Sequence, residues 1–105
     1  GEGVTQNLVE AARWYRKAAE QGLIEAQLLL GVCYHYGNGV TQNTTEAMKW
    51  FLKAAEQGSP DGQFFIGVYY CELGKYAEAI YWLSKAGKQG LEEAKHMLND
   101  LGVNW

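Results

Sequence analysis

Cys33, Cys71, His35 and His96 are the side chains of this 105-residue chain best suited to nucleophilic or metal chemistry, and their spacing speaks against both. The cysteines match none of the short pairings that hold zinc or run thiol exchange. Each lies in an apolar stretch, where a free cysteine behaves as a small hydrophobe. A disulfide and a reactive or metal-bound thiol are the other readings. His35 and Cys71 hold matching positions of an internal repeat, and stacked repeats keep such positions roughly 10 Å apart, beyond the hydrogen-bond reach of a Cys–His pair. His96 stands alone, and both histidines read as surface or rim residues. Glu10, Glu46 and Glu78 recur where helices begin, so capping and the helix dipole explain them without catalysis. The Gly-x-Gly-Val stretches at Gly1 and Gly37 lack the preceding strand and the following glycine of a phosphate-cradling loop. No nucleophile meets a base, so the chain reads as a non-enzyme that needs neither cofactor nor metal.

The chain is long enough to bury one core without staples. It is 48% hydrophobic and 20% charged, with one proline and many Ala, Leu, Glu, Lys and Gln residues, a balance that favours helix over strand. Its net charge is −3, and its lysines and arginines alternate with glutamates as on a solvated helix face. The basic patch of a nucleic-acid binder is missing, so no nucleic acid is expected as a partner. Apolar runs are a few residues long, far below the roughly 20 needed to cross a bilayer, so no membrane span is expected. Periplasm, secretion or cytoplasm therefore fits better than a membrane, and nothing finer about compartment is legible.

What positions these residues is a phrase written three times: WYRKAAEQG at Trp14–Gly22, WFLKAAEQG at Trp50–Gly58 and WLSKAGKQG at Trp82–Gly90. Residues 1–36 laid over 37–72 agree at just over half of the positions. A period in the thirties signals stacked helical hairpins. Ala11, Trp14, Tyr15, Ala18 and Gly22 fall on one helix face. Asn7 before Glu10, and Asn43 before Glu46, resemble capping boxes. Gly22, Gly58 and Gly90 sit where a left-handed residue ends that helix. Ser59-Pro60-Asp61 gives a second helix a clear start. The expected fold is an all-α, right-handed solenoid of three antiparallel hairpins. Its helices lie near 7–21, 24–36, 44–57, 60–73, 75–89 and 91–101, in one domain, 1–105, with units about 5–36, 41–72 and 74–102.

The recurring small and aromatic residues read as its structural core: Trp14, Ala18, Gly22, Gly31, Tyr34, then Trp50, Ala54, Gly58, Gly67, Tyr70, then Trp82, Ala86 and Gly90. Gly31 and Gly67 stand mid-helix, where glycine costs about 1 kcal/mol relative to alanine. Their return at one repeat position predicts that a neighbouring helix or a tryptophan ring comes too close for a side chain. The last helix carries His96, Asn99 and Asp100 where its predecessor carries Phe64, Gly67 and Val68, so the third unit reads as a polar C-terminal cap. GEGV at the start matches the loop after a second helix. Either further repeats precede Gly1, or Trp14 and Tyr15 have an uncovered side.

The pattern Ala-x-x-Trp-[Tyr/Phe]-x-x-Ala-Ala-x-x-Gly, then [Ala/Gly]-Gln-x-x-x-Gly-Val-x-Tyr, then Gly-x-Gly-Val, resembles the Sel-1-like repeat, a branch of the tetratricopeptide-like helical arrays. The third copy lacks Gly-x-Gly-Val and is closer to a plain tetratricopeptide unit. The resemblance implies a non-enzymatic scaffold or adaptor that binds a protein or peptide on the concave face of the stacked first helices. On that face, outward positions change between copies while the framework stays. Candidate contacts are Arg13, Arg16, Lys17, Lys49, Leu52, Lys53, Tyr81 and Ser84, with Lys17, Lys53 and Lys85 forming a constant basic row. The alternative is a purely structural segment that braces neighbouring repeats or self-associates.

Overall fold

In the computed structural model, which describes residues 2–104, each copy of the phrase forms the later turns of a helix. The order is α1 (Glu2–Glu20), α2 (Ile24–Tyr36), α3 (Thr44–Glu56), α4 (Pro60–Glu72), α5 (Tyr76–Lys88) and α6 (Glu92–Asp100), with no strand among the described residues. The all-α helical-repeat class read from the sequence is therefore the observed one. The chain divides into two compact units, Gly1–Ala54 and Ala55–Trp105, each described by itself.

The first helices end as their phrase dictates. In α1 the Gly22 N–H donates to the Ala19 carbonyl at 3.0 Å and the Leu23 N–H to the Ala18 carbonyl at 3.2 Å. In α5 Gly90 and Leu91 make the same pair to Gly87 and Ala86. This closure needs a left-handed residue, and Gly22, Gly58 and Gly90 take φ of 92°, 94° and 97°, which a side chain would strain. A buried glutamine then ties the joint: Gln27 Nε2 donates to the Ala19 carbonyl at 3.2 Å, and Gln63 Nε2 to the Ala55 carbonyl at 3.3 Å. Each gives a second hydrogen bond to a last-turn carbonyl that already accepts the N–H of the closing glycine.

The start of α1 departs from expectation. GEGVTQN, expected as a loop with Asn7 as cap, is helical from Glu2, and Asn7 lies inside the helix. The copy at Gly37–Asn43 is a loop because α2 holds it. The Asn43 N–H donates to the Tyr34 carbonyl at 2.9 Å, and Gln42 Nε2 donates to the His35 carbonyl at 2.8 Å. Asn43 does cap α3, its Oδ1 accepting from the Glu46 N–H at 3.1 Å.

In the first unit Ala19, Ala26, Leu30 and Trp50 form the core, with Tyr15, Ala18 and Tyr34 packed against it. In the second, Ala79, Leu83, Ala86, Ala94 and Leu98 do so, flanked by Phe64, Tyr70 and Ile80 among others. Fully burying Leu30, Leu83 or Leu98 stabilises by about 1.5–3 kcal/mol each. The alanines let the helices approach.

Gly31 and Gly67 have the steric reason their recurrence predicts, though the ring involved is not a tryptophan. A Cβ on Gly31 would stand 2.6 Å from the Phe51 ring, and one on Gly67 would stand 2.7 Å from Leu83 Cδ2. Phe51 and Leu83 hold the same place in the phrase, one after the tryptophan. Each unit thus uses a knob from a first helix to fill a glycine hole in the second helix before it.

α2 and α4 are apolar on almost every side, as helices packed on more than one face must be. α6 regains a polar face, with His96, Asn99 and Asp100 exposed and Ala94 and Leu98 fully buried.

Candidate functional site

Trp14, expected in the core, is 69% exposed, whereas Trp50 is 4% exposed and Trp82 half-buried. Trp50 is buried because α1 and α2 precede it and present Ala19, Ala26 and Leu30. Among the described residues no hairpin stands before Trp14. Gly22, Gly58 and Gly90 are exposed too, so they shape helix ends rather than fill the core.

The basic row does not trail freely. Lys17 Nζ lies 5.3 Å from the Trp14 ring centroid, Lys53 Nζ 5.8 Å from that of Trp50, and Lys85 Nζ 5.0 Å from that of Tyr81. Lys49 Nζ also stands 5.4 Å from the Trp50 ring and 3.9 Å from Glu46 Oε1. Cation and ring attract, at about 0.5–1 kcal/mol in exposed sites.

Arg16, Lys49 and Lys53 come together: with Glu20, Gln27 and Trp50 they line an open groove of about 370 Å³ in the first unit. Arg16 donates to the Tyr34 hydroxyl, which fixes its guanidinium at the groove wall. Arg13, Arg16 and Lys17 line a second open surface along α1 with Trp14, Glu10 and Glu20. Leu52 is 36% exposed on α3. Tyr81 and Ser84 lie on α5, with Tyr81 56% exposed and its ring edge-on to Trp82 at 5.1 Å between centroids. Sequence reasoning missed Gln27 and Trp50 as groove residues. A fixed glutamine and a fixed tryptophan look purely structural when only recurrence is visible.

Groups suited to covalent chemistry are poorly placed for it. Cys33 is buried and Cys71 half-buried, each a free thiol. Burial pushes the Cys33 thiol up from its ordinary pKa, and burial followed by the nearby Glu72 charge does the same to Cys71, so both favour the unreactive protonated form. Among the described residues no three His, Cys, Asp or Glu side chains gather as metal ligands. None of the described helices is long and apolar enough to cross a membrane.

Comparison with known proteins places this geometry. The Sel1 repeat model matches residues 1–23, 24–59 and 60–91. No curated protein matches the chain significantly. Among solved structures, a protective antigen of uropathogenic Escherichia coli strains that displays an SLR fold is 45% identical, with a TM-score of 0.82 over 86% of this chain. A Sel1 repeat protein from Oxalobacter formigenes is 41% identical, with a TM-score of 0.75 over 82% of this chain. The chain spans only 20% and 37% of those two proteins. With the family model matching nearly end to end, the chain belongs to the Sel1 repeat family, a helical-solenoid fold that is typically a non-enzymatic scaffold for protein–protein interaction.

Proposed function

We propose that this chain is a non-enzymatic adaptor that binds a protein or peptide through the outward side chains of its first helices, the face a solenoid would present as concave. The observation that carries the reading is the ordered set of cations on a fixed frame. Arg16, Lys49 and Lys53 converge on one groove, and the lysines are poised over aromatic rings. Arg13, Lys17, Leu52, Tyr81 and Ser84 extend the set of contacts at positions that mostly change between repeats, with the lysine kept. Catalysis is no part of the role, a reading supported by two thiols that burial holds protonated. The test is a pull-down with the wild-type chain against Arg13→Glu/Lys49→Glu/Lys53→Glu. Loss of specific captured proteins is the expected result, and an unchanged set overturns the choice of face.

A second reading, in which the array braces neighbouring repeats or self-associates, has one observation behind it. Trp14 is 69% exposed at the repeat position where Trp50 is buried by a hairpin. Light scattering separates the two: self-association lost in Trp14→Ser favours bracing, and a monomer at every concentration removes self-association from it.

A further inference from the structure

Each unit makes a joint from two halves, and α1 carries one half with no described partner. In the first unit Ala19, Ala26 and Leu30 cover Trp50, and Phe51 fills the hole at Gly31. In the second, Leu83 fills the hole at Gly67, while Gln89 Nε2 donates to the Gly58 carbonyl at 2.9 Å and to Gln63 Oε1 at 3.0 Å. The phrase in α1 repeats the places that do this. Trp14 stands where Trp50 does, Tyr15 where Phe51 and Leu83 do, and Gln21 where Gln89 does. Among the described residues no hairpin stands before α1 to meet them, and Trp14 and Gln21 both lie exposed. The charges beside Trp14 are no bar to cover. Glu10, Arg13, Lys17 and Glu20 recur around the buried Trp50 as Glu46, Lys49, Lys53 and Glu56.

These halves ask for a specific partner. A covering hairpin needs glycine where Gly31 and Gly67 stand, since a side chain there would meet the incoming knob. It also needs an acceptor where Gln63 stands, to take the bond from the next glutamine. A second copy of this chain has no such hairpin to offer. The holes of α2 and α4 are already filled, by Phe51 and Leu83. In α6 the two places are held by Lys95 and Asn99. Lys95 has no acceptor to give and pairs with Glu92 Oε1 at 3.2 Å, and Asn99 leaves no hole. The sequence also points to a source. Residues 1–7 read GEGVTQN, and GNGVTQN at Gly37–Asn43 carries the chain from α2 into α3.

We propose that the Trp14 face of α1 seats a further helical hairpin of the same repeat type, joined ahead of residue 1 in the same polypeptide and carrying glutamine and glycine at the register of Gln27 and Gly31. The assignment rests on the bracing reading above and names what α1 braces. The α1 end of the chain is receptive to this joint, and α6 is not. On docking, residues 2–7 take the loop form of Gly37–Asn43, and Asn7 caps α1 as Asn43 caps α3.

The experiment fuses a copy of residues 1–36 ahead of Gly1, so that its Tyr36 meets Gly1 as Tyr36 meets Gly37 in the chain. The added copy carries Trp14→Phe, so that oxidation footprinting by mass spectrometry reads only the chain's own Trp14. Circular dichroism should show the added helices, and oxidation of Trp14 should fall several-fold, towards the rate of Trp50. A second fusion, with Gln27→Lys and Gly31→Asn in the added copy, puts the letters of α6 at the joint and should leave Trp14 reactive. Equal protection in both fusions would overturn the inference and leave the bracing reading standing. Protection in neither, or an added copy that gains no helix, would overturn both. Protection of Trp14 in the chain alone as its concentration rises would make a second copy the occupant and overturn the inference as well.

Discussion

Trp14 and Trp50 stand at the same place in the same phrase, yet one is 69% exposed and the other 4%. The later turns of their helices carry nearly the same letters; what differs among the described residues is the hairpin before them. Ala19, Ala26 and Leu30 cover Trp50, and no described residues do this for Trp14. In a repeat array the recurring residue is half of a contact whose other half is one unit upstream, so recurrence shows that a joint exists without showing that it is filled. The largest effect expected from breaking this comparison is Trp50→Ala, at about 3–5 kcal/mol, the range for removing a large aromatic from a core. Trp14→Ala should stay within about 0.5 kcal/mol, as exposed substitutions do. Denaturant midpoints at unchanged slope measure both. Equal losses would mean that Trp14 is covered in solution.

The two glycine holes sharpen the same lesson with a smaller effect. Gly31 faces the flat, stiff ring of Phe51, and Gly67 faces the branched end of Leu83, which can change rotamer. Gly31→Leu and Gly67→Leu should each cost about 1–3 kcal/mol or more through overpacking, well beyond the helix-propensity gain. For the milder Gly→Ala pair, Gly31 should be hurt more than Gly67, and Phe51→Leu should recover part of the Gly31→Ala loss. A loss under about 1 kcal/mol for either leucine variant would refute the hole-filling account.

These cases mark what a single sequence makes legible. Helix positions follow from the period, Gly22 and Gly90 from the need for a left-handed stop, and the holes at Gly31 and Gly67 from glycine persisting where propensity opposes it. All are local chemistry, or local chemistry repeated. The helical state of residues 2–7 was not legible, because nearly the same letters, with Asn38 in the place of Glu2, form a loop at Gly37–Asn43, where α2 offers a carbonyl that holds it. The candidate groove was half legible. Its cations stand out as residues that vary against a fixed frame. That Arg16, Lys49 and Lys53 line one groove depends on how α1 and α3 are set against each other, which no single periodicity encodes.

A third contrast lies at the starts of the second helices. Ser59 Oγ accepts from the Gly62 N–H at 3.1 Å, whereas α2 and α6 begin at Leu23 and Leu91 with no side-chain cap. Ser59→Ala should cost about 1 kcal/mol, and Leu23→Ser, at a 58% exposed position, should return somewhat less than that. Thermal midpoints check the pair. If Leu23→Ser destabilises, the leucine contributes packing that its exposure does not reveal.

The smallest effect separates the two cysteines, and its sign follows from burial. Both thiols are pushed above their ordinary pKa, Cys33 by burial and Cys71 by burial and then by Glu72. The folded state therefore holds each thiol proton more tightly than the unfolded chain does. That contribution to stability is fully present below the unfolded thiol pKa of about 8.5 and is lost as pH rises through the folded value. Stability should decline on the alkaline side of neutrality, and Cys33→Ala/Cys71→Ala should flatten the part of the decline that tyrosines and lysines do not cause. Alkylation resolves the two sites. Cys33, 7% exposed, should react more slowly than half-buried Cys71, and both more slowly than in urea, with the gap closing as pH rises. Native Cys33 labelled as fast as the unfolded chain would show that the first unit opens around α2 on the timescale of the reaction, and the glycine hole at Gly31, two residues away, would then be the place to look for the looseness.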